Sequence, residues 1–87
     1  MPYIKQDERK HFDMYIDMLA DLFVDAAPGQ RNYIITRLLS KALANECTYN
    51  SLNEIIGVLE CVKLEVYRRI TAPYEDKKRD ENGEVFF

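Results

Sequence analysis

The sequence predicts an all-α fold: a small three-helix domain with an extended C-terminal tail, assembled as a homo-oligomer. Three observations carry this. The strong breakers sit in three places, at Pro2, at Pro28-Gly29, and at Pro73 with Gly83, and helix-period segments fill the stretches between them. No segment alternates apolar and polar residues as a half-buried strand does. A chain of 87 residues has room for one domain and hides only about 60–65% of its unfolded surface. Domains with so marginal a core commonly gain stability by oligomerising.

The first helix is expected over about 7–25. Phe12, Tyr15, Ile16, Leu19, Leu22, Phe23 and Ala26 recur at three and four and form one stripe. Asp13, Asp17, Asp21 and Asp25 recur every four residues on the opposite side, and Pro28-Gly29 ends the segment. The second helix is expected over about 32–45, with Asn32 as N-cap. Its apolar residues Ile34, Ile35, Leu38, Leu39, Ala42 and Leu43 cover about half its circumference, more than a surface helix needs.

The third helix is expected over about 51–71. Ser51-Leu52-Asn53-Glu54 matches the capping box, in which the Ser and Glu side chains satisfy exposed backbone N–H groups reciprocally. Pro73 disfavours helical geometry in Ala72 and so predicts a stop near Thr71. The main stripe is Leu52, Ile55, Ile56, Leu59, Val62, Val66 and Ile70. A core follows from these stripes: Phe12, Ile16, Leu19, Phe23, Ile35, Leu38, Leu39, Ile55, Ile56, Leu59, Val62 and Val66. Residues 72–87, with proline, glycine and many charges, read as an extended arm with a turn or two of helix over Tyr74–Lys78, ending in the apolar Val85-Phe86-Phe87.

Composition narrows the function classes. The net charge is −3, which argues against a general nucleic-acid binder, since that needs a basic field. No apolar run approaches the ~20 residues of a membrane span. Two cysteines, Cys47 and Cys61, and one histidine, His11, are too few for a Cys/His zinc site. The start of the chain is polar within a few residues and has no apolar signal core. The expectation is therefore a cytoplasmic protein with reduced thiols, no cofactor and no metal.

Each polar feature has a plain and a sharper reading. The aspartate row of the first helix reads as a solvated face, and more sharply as a dock for a basic segment. His11 lacks a partner to orient it and a nucleophile to activate, so no catalytic residue is designated. Lys63 reads as a lysine that buries its stem, with an ion pair to a first-helix aspartate as the alternative. Gly57 costs its helix about 1 kcal/mol relative to alanine. Close approach of another helix along Gly57, Cys61 and Leu64 would offset that cost, which makes this line the candidate oligomer interface; the tail folding back over it is the alternative. Tyr67, Arg68, Arg69, Tyr74, Lys77 and Lys78 gather basic residues beside tyrosines, a combination that can hold phosphates and stack bases. Glu75, Asp76, Asp80, Glu81 and Glu84 nearly neutralise them, so the plain reading is helix-end cations and a solvated tail.

The segments Met1-Pro2-Tyr3-Ile4, Asn32-Tyr33-Ile34-Ile35-Thr36, Ile56-Gly57-Val58-Leu59-Glu60, Tyr67-Arg68-Arg69 and Ala72-Pro73-Tyr74-Glu75-Asp76-Lys77-Lys78 with Glu81-Asn82-Gly83 resemble a family of short proteins of bacteria and bacteriophages that carry a domain of unknown function. The resemblance spans nearly the whole chain, and the run from Ala72 to Gly83 is its most specific part. The chain departs from that pattern in a shortened C-terminus and in Asp rather than Glu or Lys along the first helix. The resemblance implies a small helical protein of the bacterial cytoplasm, or of the host cytoplasm if phage-encoded, and implies no activity. The residues and the resemblance together favour a non-enzymatic interaction or regulatory protein with a protein partner. The alternative is a protein that sequesters a small signalling nucleotide through an oligomeric site. An enzyme ranks last, because no nucleophile–base pair or Gly-rich phosphate loop is present.

Overall fold

The computed structural model describes all residues, 1–87. The fold is all-α without a strand: α1 (Gln6–Val24), α2 (Pro28–Leu43), α3 (Tyr49–Val66), a π-helical turn (Tyr67–Thr71) and α4 (Ala72–Asn82). The chain divides into two units, Pro2–Ile55 and Ile56–Phe87 with Met1, and the division falls inside α3.

In the first unit, Pro28 opens α2 rather than preceding it, because a proline at the first helical positions has no N–H to leave unsatisfied. The N-cap is therefore Ala27, not Asn32. The Ala27 N–H donates to Gln30 Oε1 at 2.8 Å, while Ala27 has no side-chain acceptor to return. Asn32 lies within the helix, and its Oδ1 accepts from Thr36 Oγ1 at 3.1 Å.

The start of α3 also lies upstream of the expected box. Thr48 N–H donates to Ser51 Oγ at 2.8 Å and Ser51 N–H to Thr48 Oγ1 at 3.2 Å. This is a reciprocal cap built by Thr48 and Ser51, with no bond from Glu54. With α3 starting at Tyr49, Thr48 takes the N-cap position and Ser51 the third helical position, the pair that the motif joins.

The corner between α1 and α2 is held by Arg31. Its Nε donates to Phe23 O at 3.0 Å and its Nη2 to Val24 O at 2.7 Å. The guanidinium also lies 5.3 Å from the Phe23 ring centroid. The last carbonyls of a helix are unsatisfied and carry negative partial charge, which suits a cation there.

In the second unit, the expected stop near Thr71 and the extended arm are replaced by helix. Pro73 has no N–H and its ring crowds the carbonyl four residues back, that of Arg69. The backbone answers by widening: Ala72 N–H donates to Tyr67 O, five residues back. Pro73 then sits in the first turn of α4, where its missing donor is tolerated. The helix ends at Gly83, whose φ of 99° lies in the region glycine adopts without a Cβ penalty, and whose N–H donates to Arg79 O at 2.7 Å.

Within neither unit is a residue of the expected core buried. The best-covered apolar residues, Phe23, Ala26, Ile34, Leu39, Leu43, Ile55 and Ala72, are only half-buried. The other members of the expected core are exposed; Leu59 is 36% exposed, Ile16 56% and Ile56 66%. Within the second unit the π-turn and α4, which are consecutive, are in extensive contact. A stripe of apolar residues states that a helix needs a partner, and leaves open which chain supplies it. No helix is long and apolar enough to cross a membrane.

Candidate functional site

The tyrosine and arginine cluster of the second unit is organised by the π-turn. In an unbroken α-helix, two residues eight apart stand about 80° apart around the axis. The wider turn winds less per residue, and Tyr67 OH donates to Glu75 Oε1 at 2.6 Å. That hydrogen bond, with the nearby carboxylate charge, holds the Tyr67 hydroxyl above the usual phenol range.

The structure distributes the other candidates along the same helical rod. Arg68 Nη2 turns back to Glu65 Oε1 at 2.8 Å. Lys78 Nζ lies 5.7 Å from the Tyr74 ring centroid and 3.3 Å from Glu81 Oε2. Arg79 reaches Asp76 and Asp80, each at 3.7 Å. Arg69 and Lys77 make no hydrogen bond or ion pair. Most of the cations are thus matched by carboxylates of their own helix. Exposed pairs of this kind contribute roughly 0–1 kcal/mol each, so a competing anion could displace them, but only Arg69 and Lys77 are open without displacement.

Past Gly83 the chain turns. Glu84 Oε1 accepts from the Val85 and Phe86 N–H groups, both at 2.9 Å, which lowers the Glu84 carboxyl below the usual glutamate range. This turn and the last turns of α4 enclose a groove of about 410 Å³ lined by residues including Asp76, Arg79, Glu84 and Phe86. A second groove, of about 350 Å³, lies at the start of α1 among residues including Tyr3, Ile4, Phe12 and Ile16, where Arg9 Nε donates to Ile4 O at 3.0 Å.

Along the Gly57, Cys61 and Leu64 line, a Cβ placed on Gly57 would meet nothing within 4 Å. Cys61 is an exposed thiol and Leu64 is exposed. The tail therefore does not fold back over Gly57. Lys63 pairs with Glu60 of its own helix at 3.3 Å instead of a first-helix aspartate. His11 and the aspartates of α1 are exposed.

Two contributors were not singled out from the sequence. Arg31 is one, and its only signal was a cation placed just after the Pro28-Gly29 break. Thr48, three residues before Ser51, is the other. No curated protein and no solved structure matches the chain. The match that exists covers residues 1–85, and the chain belongs to the family described as Domain of unknown function (DUF6899).

Proposed function

We propose that this chain is a small non-enzymatic interaction protein that works by presenting apolar helical faces to protein. The observation that carries the reading is that within each unit the apolar stripes stay exposed, with no residue buried by its own unit. Contiguous exposed apolar surface on this scale marks an interaction site rather than a finished surface. A regulatory role in the cytoplasm of a bacterium, or of a phage-infected host, is consistent with its size and with the lack of a designated nucleophile. The test is photo-crosslinking in cells from positions on the three long helices, read by mass spectrometry. Discrete crosslinks from the apolar faces to a defined protein, whether another copy or a different chain, support the reading. Crosslinks to no protein, with a soluble and folded chain, would sink it.

The alternative, sequestration of a signalling nucleotide by the Tyr67–Lys78 cluster, draws on Arg69 and Lys77, the two cations without a carboxylate partner. Calorimetry against a panel of cyclic nucleotides tests it. Binding that is abolished by Arg69→Ala with Tyr74→Ala, at an unchanged melting temperature, would move this reading ahead of the first.

A further inference from the structure

We infer that Asn82-Gly83, at the end of α4, is a covalent modification site: the Asn82 amide is lost by ring closure onto the Gly83 nitrogen, and with it the hydrogen bond that closes the helix. The site is independent of what the apolar faces bind. Three observations meet there. Asn82 is the last residue of α4, is exposed, and makes no side-chain hydrogen bond. Gly83 has no side chain to crowd its nitrogen, and a Cβ built on it would meet nothing within 4 Å. The Gly83 N–H donates to Arg79 O at 2.7 Å, which closes the last turn of α4, and a helix end of this kind opens at little cost. The other asparagines lack this combination. Each is followed by a residue with a Cβ, and Asn32, Asn50 and Asn53 lie inside helices, while Asn45 precedes Glu46.

In the opened turn, the Gly83 nitrogen gives its proton to water or hydroxide and attacks the Asn82 side-chain carbonyl carbon. The new N–C bond closes a succinimide ring. The bond to the amide nitrogen breaks, and that nitrogen takes a proton from water and leaves as ammonia. Water then opens the ring at either carbonyl, leaving aspartate or isoaspartate in place of Asn82. One nitrogen thus has two exclusive uses. While Gly83 donates to Arg79 O it cannot attack, so the reaction runs through the frayed fraction of α4. The product keeps the turn frayed: the succinimide has no N–H to donate, and isoaspartate routes the backbone through an extra carbon, which carries the Gly83 N–H away from Arg79 O. The change also reaches the groove beside α4, which Asn82 lines. There Glu75, Asp76 and Glu84 stand against Lys78 and Arg79, and a further carboxylate turns a nearly balanced groove acidic.

The experiment holds the purified full chain at body temperature in mildly alkaline buffer, once folded and once in urea. Both samples are mapped by mass spectrometry with aspartate and isoaspartate resolved, and Gly83 amide exchange is followed in the folded one. In the folded protein Asn82 should convert, mostly to isoaspartate, while Asn32, Asn45, Asn50 and Asn53 persist. The ratio of the folded rate to the rate in urea should match the open fraction of the Gly83 amide. The isolated isoaspartyl protein should exchange that amide at its unprotected rate. Asn82→Gln, whose longer side chain closes a larger ring more slowly, should stop the conversion at an unchanged melting temperature. A folded chain that keeps Asn82 while the urea sample loses it overturns the inference. So does a folded rate equal to the urea rate with the Gly83 amide protected, because the capped nitrogen would then not be the attacking one.

Discussion

Tyr67 and Glu84 are exposed groups whose protonation is nonetheless tied to the fold. The Tyr67 hydroxyl is raised because it donates to Glu75 and faces its charge. A raised phenol favours the protonated form in the folded state. Its contribution is therefore complete below the ordinary tyrosine pKa and is lost as pH rises through the higher folded value. Spectrophotometric titration should show a late tyrosine step above the ordinary phenol range, and Tyr67→Phe should delete it. Glu84 is the opposite case: its carboxylate accepts two backbone N–H bonds. Its contribution is complete above the ordinary glutamate pKa and is lost as pH falls through the lowered folded value. The Val85 and Phe86 amide resonances should shift in that acid range, and Glu84→Gln should weaken the response. Gly83, at φ 99° and ψ 158°, occupies a region open essentially to glycine, so Gly83→Ala should cost on the order of 1–3 kcal/mol, or fray the last turn of α4 in hydrogen exchange.

At the scale of elements, two comparisons separate neighbouring explanations. Thr48→Ala removes the observed cap of α3 and should cost about 1 kcal/mol in a urea melt, whereas Glu54→Ala, removing the residue of the motif that makes no capping bond, should cost much less. Both melts are run at one protein concentration, since any self-association makes stability concentration-dependent. Pro73→Ala removes the cause of the π-turn. If the rod then relaxes to regular α-helix, Tyr67 and Glu75 part, and the late tyrosine step disappears although neither residue is altered. Gly57→Leu tests the α3 seam by sign. Within the chain the new side chain meets open space, so helix propensity alone predicts a gain of up to about 1 kcal/mol. Loss of the oligomer in sedimentation instead would show that a second helix packs against Gly57.

For the molecule as a whole, the deciding quantity is surface. A domain of this length has little core to spare even when fully compact, and here the apolar stripes of α1, α2 and α3 remain open. Single-chain stability then comes from local terms: caps at Thr48 and Gly83, the Arg31 staple, and i,i+3 ion pairs such as Lys63 with Glu60. Such terms amount to tenths of a kcal/mol to about one each, too little to offset the backbone entropy of ordering three long helices. A partner that covers the apolar faces would supply burial, and its addition should then raise the melting temperature.

The sequence by itself determined the all-helical class, the three apolar stripes and the membership of the family, because helical period and punctuation are local properties of consecutive residues. The candidate cluster was legible as composition, in Tyr67, Arg68, Arg69, Tyr74, Lys77 and Lys78, but its geometry was not. Pro73 has two local solutions, a stop or a widened turn, and their difference lies in how the Arg69 carbonyl is accommodated three-dimensionally. The structure takes the second, which makes α4 a helix and joins Tyr67 to Glu75. Likewise the stripes said that Ile16, Leu59 and Val62 need apolar neighbours, while only the tertiary structure decided that none of the three is buried within its own unit. The physical reason is that hydrophobic burial is non-directional and proportional to area: a stripe specifies how much surface must be covered, and only the arrangement of the helices in space decides what is left uncovered.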